Sequence, residues 1–359
     1  MDAMVSPHLV PLAGLVLGML FGFAVQRSDY CAMGAVSDIL LMGDWRRMRS
    51  WLLAIAVAIL GTQALMLIGA VDLDQTPYLQ PGLAVAGAIG GGLLFGFGMT
   101  LTGGCISKNL VRLGGGSLRA LVVILVVAIA ALATVAGPLV WLRHLFDALT
   151  IDPGRRFPRQ DLPALLGLAA GLRMLLAAMI AAALAWFCLR EPTFRSSRAL
   201  LLAGLTLGAL VPLGWLATTW LADPSAPVPV ASLGFVGSSA SSLILLTTGG
   251  ASVLPFGVAL IAGTILGGLV GAGTAGRLRL EGFADAHDLR RNLGGAAAMG
   301  VGGVLAGGCT VGQGLSGVST LGLGSVVAVG AIVAGAVAGI RMLEAGSVRG
   351  ALRALVAGG

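Results

Sequence analysis

Charged residues are scarce in this sequence. Only 10% of its 359 positions are Asp, Glu, Lys or Arg, whereas 57% are hydrophobic and the mean hydropathy is +0.98. A water-soluble globule of this length needs a far more polar surface. The composition therefore excludes the ordinary soluble classes and predicts an all-α, polytopic membrane protein.

Cysteine and histidine are also rare, and neither is clustered. The four cysteines form no CxxC pair, the three histidines lie well away from them in sequence, and no P-loop motif occurs. This pattern argues against a disulfide framework, a zinc site and direct use of ATP. We therefore expect no metal and no cofactor.

Lysine is nearly absent: of the 22 basic residues only Lys108 is a lysine, and arginine supplies the rest of a formal net charge of +7. The arginines are scattered through short loops, which is typical of the positive-inside bias of membrane proteins rather than of nucleic-acid binding. Attraction of an anionic substrate is a further interpretation of the positive charge.

Long apolar runs, by contrast, are abundant, and nine of them are long enough to cross a bilayer. They lie near 8–26, 51–70, 82–104, 117–142, 164–189, 200–221, 252–273, 292–310 and 325–343. A weaker, serine-rich run at 232–250 is interpreted as re-entrant or buried in protein. Arg173 is the charge closest to a span interior, and we expect it to snorkel to the interface. No buried acidic or histidine chain of the proton-relay kind is expected.

Two loops, 71–80 and 222–232, contain no basic residue. If both lie outside, nine crossings place the N-terminus outside and the C-terminus, with most arginine-rich loops, in the cytoplasm. The loop 143–160 is an exception to the positive-inside rule, because this arrangement places its four arginines on the outer side. Either a span is miscounted, or this loop forms an outward-facing basic funnel for an anion.

Three of the four cysteines share one sequence frame. A glycine stands nine residues before each of Cys31, Cys105 and Cys309, and the first two frames share the tetrapeptide Leu-Phe-Gly-Phe. A fourth copy, without a cysteine, is a candidate at 200–215. Such a frame is typical of an internal structural repeat.

The frame divides the chain into two predicted halves, about 8–142 and 200–343, within one membrane domain that covers 1–359. Each half contains four spans, and five crossings separate the starts of the halves. An odd number inverts the second half relative to the first. Inverted repeats are common in transporters, whose substrate site lies near the midplane where helices are broken.

Cys105 and Cys309 each follow a glycine pair and precede a short polar segment. Glycine pairs allow a helix to stop, and the amides that start the next short helix are natural anion binders. Irregular backbone at membrane depth requires protein or a water-filled path around it. The candidate path residues are Cys31, Gly103, Gly104, Cys105, Lys108, Asn109, Gly307, Gly308, Cys309, Thr310 and Gln313.

A thiol brings a particular chemistry to these elements. Neutral S–H is a weak donor and a soft contact, which suits a sulfur-containing anion better than a hard oxyanion. Weak contacts along a route also allow release. A thiolate stabilised by Lys108 or Arg112 could instead accept and pass on a sulfur atom. Cys188 has no glycine pair beside it and is interpreted as a core residue.

The segments 18–38, 91–121 and 293–325 resemble the YeeE/YedE family of bacterial inner-membrane proteins, whose characterised members take up thiosulfate. The resemblance implies a single-chain, hourglass-shaped transporter with short helices that dip into the membrane from both faces. It also implies that Cys31, Cys105 and Cys309 line the route and that thiosulfate passes by successive S–H contacts. A small cytoplasmic TusA-like sulfur-carrier protein is an implied partner.

Three functions remain open from the sequence. The first is a non-enzymatic transporter for thiosulfate or a related small sulfur anion, with selenium or other sulfur species as alternatives because some relatives are linked to them. The second is a membrane sulfurtransferase that carries a persulfide on one cysteine. The third, a soft-metal transporter, is disfavoured because Met-rich loops, His-rich loops and CxxC pairs are missing.

Overall fold

The computed structural model describes residues 8–80, 82, 84–150, 159–222, 228–249 and 254–345. Within these residues the regular structure is helical, with fifteen α-helices and one π-helix. The helices are α1 (Leu9–Ser28), α2 (Ala32–Met42), α3 (Arg46–Leu67), α4 (Val85–Leu101), α5 (Ile106–Gly114), α6 (Leu118–Ala136), α7 (Val140–Asp147), α8 (Leu162–Leu165), α9 (Ala170–Leu189), α10 (Pro192–Ser196), α11 (Arg198–Trp220), α12 (Val236–Thr248), α13 (Phe256–Thr274), α14 (Ala286–Leu305), the π-helix (Gly312–Gly317) and α15 (Leu323–Ala345).

In the described part of the chain, eight helical segments are long and apolar enough to cross a membrane, which makes this a polytopic membrane protein. Large apolar side chains cover the outside of the bundle, for example Leu172, Leu175 and Met179 along α9. The nine predicted spans reduce to eight by this criterion because α14, although 20 residues long, begins with charged residues. The serine-rich run forms α12, a 13-residue helix too short to span.

Some predicted features extend into residues outside this description. They are positions 151–158 of the basic loop, 223–227 of the basic-free loop, 252–253 of the seventh predicted span, and the C-terminal stretch 346–359.

Close contacts between glycine and a neighbouring backbone hold the long helices together. A Cβ atom at Gly22 of α1 would lie 2.2 Å from the Thr264 carbonyl oxygen of α13, and one at Gly96 of α4 would lie 2.0 Å from the Ile332 carbonyl oxygen of α15. Gly300 of α14 crosses α6 in the same way. The glycine nine residues before each cysteine is therefore a helix-crossing residue, which gives the repeated frame a physical cause.

One end of the bundle carries most of the arginine; we call it the basic end. Here Arg277, after α13, faces Asp29, after α1, at 3.4 Å. The N–H of Leu118 donates to the Glu281 carbonyl at 2.9 Å and so joins the loop before α6 to the loop before α14. The start of α3 and the end of α9 also meet at this end, through Arg49 and Glu191 at 3.3 Å.

The other end, which we call the opposite end, joins the remaining loops. The Trp220 indole N–H donates to the Ala70 carbonyl at 2.8 Å, and the Leu323 N–H donates to the Gln160 carbonyl at 3.0 Å. The two described arginines of the loop 143–160 lie here and are paired with carboxylates. Arg143 faces Asp147 at 3.6 Å, and Arg159 contacts Asp74.

Arg173 lies in the first turn of α9, near the end of the predicted span, and is paired with a carboxylate. Its guanidinium lies 2.8 Å from a carboxylate oxygen of Asp161, which is fully buried, and its Nε donates to Gln63 at 2.9 Å. Burial raises the pKa of Asp161 above its ordinary value, although the Arg173 charge opposes the shift. The sequence pattern did not indicate this ion pair, because Asp161 lies in a loop outside the predicted spans.

The glycine crossings predict the effect of added side-chain volume. Gly96→Ala places a methyl group against the Ile332 carbonyl and is expected to cost about 1–3 kcal/mol of folding free energy. Gly330→Ala is the matched control, because nothing lies within 4 Å of a Cβ at that helical position. Thermal unfolding in one detergent checks this. Equal melting temperatures for the two variants would contradict the packing described here.

Candidate functional site

The two Gly-Gly-Cys turns have the same backbone geometry. Gly103 and Gly307 both adopt φ +70°, which favours glycine. Gly104 and Gly308 each donate their N–H, at 2.8 Å, to the carbonyl five residues earlier. This bond closes the C-terminus of α4 in one case and of α14 in the other. Two distant stretches of the chain therefore end a long helix in the same way just before a cysteine.

A side-chain amide four residues after each of these cysteines fastens the turn. Asn109 donates from Nδ2 to the carbonyls of Gly104 and Cys105, at 3.0 and 3.1 Å. Gln313 donates from Nε2 to the Ala306 carbonyl at 2.7 Å. Both amides were predicted to donate to the substrate. In the structure their N–H groups instead bind the backbone that carries the thiol.

Each of the three framed cysteines lies at the start of a short helical segment. The Sγ of Cys31 accepts the Gly34 N–H at 3.4 Å, and the Sγ of Cys309 accepts the Gly312 N–H at 3.3 Å. Cys105 instead lies 3.0 Å from the Ser107 hydroxyl. The thiols are therefore oriented by local bonds, with the positive ends of backbone dipoles beside them.

Two of these cysteines share a small cavity, which we call the inner cavity. It is lined by Tyr30, Cys31, Cys105, Ser107, Lys108 and Thr310, among others, and has a volume of about 10 Å³. That space holds about one water molecule. The structure therefore brings together, in one place, predicted path residues that are nearly 280 positions apart in sequence.

Two adjoining cavities of about 390 and 410 Å³ open at the opposite end, and we call them the outer vestibule. Both are lined by Tyr78, Gly307 and Gly308, and one also contains Arg143. Burial raises the pKa of Tyr78 above its ordinary value, with the nearby Cys309 as a smaller cause. The vestibule thus reaches the residues directly before Cys309.

Cys309 lies between these spaces. Its side chain is fully buried, the glycines before it line the outer vestibule, and Thr310 and Val311 after it line the inner cavity. One turn of chain therefore separates the vestibule from the cavity that contains the other two thiols. The sequence could predict the three cysteines, but not this order.

Lys108 is buried beside the inner cavity, and its charge is compensated. Its Nζ lies 3.3 Å from an Asp29 oxygen, and the other oxygen of Asp29 faces Arg277 at 3.4 Å. Asp29 adopts φ +52°, an uncommon conformation for a residue with a side chain. The chain thus leaves α1 sharply at Asp29, just before Tyr30 and Cys31.

Positive charge exceeds negative charge around the Cys105 turn. Arg112 folds back along α5, so that its Nη1 lies 3.6 Å from the Cβ position of Gly104. The Arg119 guanidinium also approaches the turn and is paired with Asp288 at 3.3 Å. Within the described residues Arg112 has no carboxylate within 4.0 Å, so this side of the turn keeps a positive field.

Cys188 lies apart from the other cysteines. It is fully buried in a small cluster with Leu53 and Phe194, and its S–H donates to the Arg49 carbonyl at 3.1 Å. This contact ties the end of α9 to the start of α3 and accounts for Cys188 as a packing residue.

Sequence reasoning missed Tyr30 and Tyr78, one in the inner cavity and the other in the outer vestibule. They are the two tyrosines of the whole chain. A hydroxyl-bearing aromatic is costly in an apolar protein unless it has a partner, so their rarity was a usable signal.

A family model described as sulphur transport matches residues 27–338 of this sequence, from just before Cys31 to beyond Cys309. The chain belongs to this family. The match includes both Gly-Gly-Cys turns, the outer vestibule and all of the inner-cavity lining except Val25, so the described site lies almost wholly inside the region that matches the family.

Two relatives align with this chain over most of the length of both proteins. The thiosulfate transporter TsuA of Spirochaeta thermophila is 30% identical over 310 residues, 84% of this chain and 89% of the relative. The thiosulfate transporter TsuA of Escherichia coli is 25% identical over 327 residues, 85% of this chain and 86% of the relative. A probable transporter of E. coli, YedE, is 31% identical over 99 residues, 26% of this chain and 22% of the relative.

The fastening role of Asn109 predicts the behaviour of the Cys105 thiol. Asn109→Ala removes the side-chain amide that bridges the Gly104 and Cys105 carbonyls, so the turn should open more often and Cys105 should react faster with a maleimide. The rate is measured with Cys105 as the sole cysteine. Thr134→Ala, which removes a buried hydroxyl that donates to the Ala130 carbonyl within α6, is the control. Equal reactivity in both variants would remove the proposed fastening role.

Proposed function

We propose that this protein carries thiosulfate, or a closely related small sulfur anion, across the inner membrane of a bacterium, along a path lined by Cys31, Cys105 and Cys309. The observation that carries the proposal is the position of Cys309 between the outer vestibule and the inner cavity. Two relatives named as thiosulfate transporters support this substrate.

The proposed path has four steps. An anion enters the outer vestibule beside Arg143, reaches Gly307 and Gly308, passes Cys309, and then meets Cys31 and Cys105. Thiols give weak contacts to a soft sulfur atom, so that each contact can be exchanged for the next. The inner cavity holds about one water, so its walls must separate while an anion passes.

Charge supports an anionic substrate at the basic end. Lys108 borders the inner cavity, and Arg112 adds a charge beside the Cys105 turn. A net positive field attracts an anion and offsets part of its dehydration cost. In this proposal Gly103 and Gly104 bring the backbone close to the path, and Thr310 offers a hydroxyl to it.

The fold supports an inverted repeat of two halves, about 8–142 and 200–343, within one domain. The main helix pairs that join the two halves occur twice, related by exchange of the halves. The pair α1 with α13 corresponds to α11 with α3, and α4 with α15 corresponds to α14 with α6. Likewise α5 packs on α13, and the π-helix packs on α3. The helix α1 runs towards the basic end, whereas α11 runs away from it.

For the membrane topology, we propose nine crossings, with α14 as the ninth, and with α2, α5, α12 and the π-helix as short re-entrant segments of an hourglass-shaped transporter. The basic end then faces the cytoplasm, which places the N-terminus outside and the C-terminus inside. The half-helices that follow the cysteines are covered by the long helices, as broken backbone in a membrane requires.

The proposal describes a transporter rather than an enzyme, without a metal or cofactor. A cytoplasmic TusA-like sulfur-carrier partner rests on the family resemblance alone and stays a prediction. A persulfide mechanism is the competing account, and the transport experiment below separates the two.

Reconstituted protein should accumulate both sulfur atoms of thiosulfate. Liposomes containing the protein are given thiosulfate labelled separately at each sulfur, without reductant. We expect both labels to enter together and no sulfite to remain outside. Sulfite release outside, with only the outer sulfur retained on the protein, would replace transport by a sulfurtransferase reaction.

The same assay tests the thiols. Replacement of Cys31, Cys105 or Cys309 by Ala is expected to lower uptake at least tenfold, since each replacement removes a donor that the dehydrated anion needs. Serine variants show whether a harder donor suffices. Cys188→Ala is the control, because that thiol contacts the Arg49 carbonyl outside the path. Wild-type uptake in all three Ala variants would exclude a cysteine path.

The topology makes a separate prediction. A cysteine at Gln75, exposed at the opposite end, should react with a membrane-impermeant maleimide in intact cells. A cysteine at Ser196, exposed at the basic end, should react only after permeabilisation. The wild-type chain gives the background. The reverse pattern would invert the proposed orientation.

A further inference from the structure

Two buried hydroxyl groups in the inner cavity have no hydrogen-bond partner among the described residues. They are the Oη of Tyr30 and the Oγ1 of Thr310, whose residues are 5% and 2% exposed. Leaving such a group unpaired costs about 1–3 kcal/mol. Two such groups in one cavity therefore require an explanation, such as a ligand or a water.

Two other polar side chains at the cavity, Ser107 and Lys108, are already paired. Ser107 contacts Cys105, and Lys108 is paired with Asp29. Buried threonines elsewhere, such as Thr264, donate to a carbonyl of their own helix. Thr310 lies instead in the turn after Cys309, between α14 and the π-helix. Its hydroxyl is thus available to the cavity.

Tyr30 is held at the cavity by the backbone around it. Asp29, with φ +52°, turns the chain out of α1, so that Tyr30 and Cys31 both line the same space. Tyr30 lines this cavity together with both Cys31 and Cys105. A group bound at the two thiols is therefore also within reach of the phenol.

We infer that Tyr30 is a specificity-determining residue: its hydroxyl, opposed by that of Thr310, donates to an oxygen of the passing anion while Cys31 and Cys105 contact its sulfur. This inference rests on the proposed transport function. It defines the substrate class as small anions that carry a soft sulfur and a hard oxygen in one molecule.

The physical argument is dehydration. An anion that enters a space of about 10 Å³ must lose its hydration shell. Charged oxygens lose most by this, because their hydration is strong. Phenol and alcohol O–H groups replace those bonds, whereas S–H groups are too weak to do so. Hydrosulfide has no oxygen and gains nothing from the two hydroxyls.

Tyr30→Phe removes only the phenol hydroxyl, and Thr310→Val removes the second unpaired hydroxyl of the cavity. Apparent Kd values are measured by ligand-induced thermal stabilisation of purified protein with thiosulfate and, separately, with hydrosulfide. Uptake of thiosulfate by proteoliposomes gives KM. We expect Tyr30→Phe to weaken thiosulfate binding about tenfold or more, since one hydrogen bond to a charged group is lost. The response to hydrosulfide should not change.

Controls separate this role from a structural one. Thr264→Val is the matched change at a hydroxyl that is bonded inside its helix. The ligand-free melting temperature of Tyr30→Phe should equal or exceed that of the wild type, because an unpaired hydroxyl is removed. A wild-type protein that neither binds nor transports thiosulfate would remove the proposed function itself. A wild-type protein that transports thiosulfate, with unchanged Kd and KM in Tyr30→Phe or an equal loss for both anions, would overturn this inference alone.

Discussion

Contact between glycine and a neighbouring helix backbone is the constraint on which this structure depends. Gly22, Gly96 and Gly300 let long helices approach until a carbonyl oxygen lies where a Cβ would be. In a bilayer the association of helices relies on such close packing, since lipid offers no hydrophobic driving force between them. The tight shell of long helices in turn encloses the short ones, whose broken backbone could not face lipid.

The same frame links packing to chemistry. Nine residues after each crossing glycine the chain has passed the helix end and reaches a cysteine. Before Cys105 and Cys309 the same backbone hydrogen bond, from the second glycine of the pair, closes the helix. A side-chain amide four residues after each cysteine fastens the turn. The position of each thiol therefore follows from the helix crossing before it, and a change in one is transmitted to the other.

Much of this could be predicted from the sequence, for identifiable reasons. Span length is fixed by bilayer thickness, so hydropathy located the long helices within a few residues. The glycine pairs before Cys105 and Cys309 indicated the turns at which the long helices end. The buried pair of Asp161 and Arg173 could not be predicted, because it depends on which loop folds over α9. The backbone hydrogen bonds of Asn109 and Gln313 could not be predicted either, since an amide in a turn can donate equally well to a ligand or to a backbone carbonyl.

The size of the inner cavity has a consequence for the cell. A space for about one water cannot hold a continuous file of hydrogen-bonded water. Protons move along such files, and small ions need them for hydration. A path interrupted by so small a space carries no continuous water, and such a path need not dissipate the electrochemical gradient of the membrane that contains it.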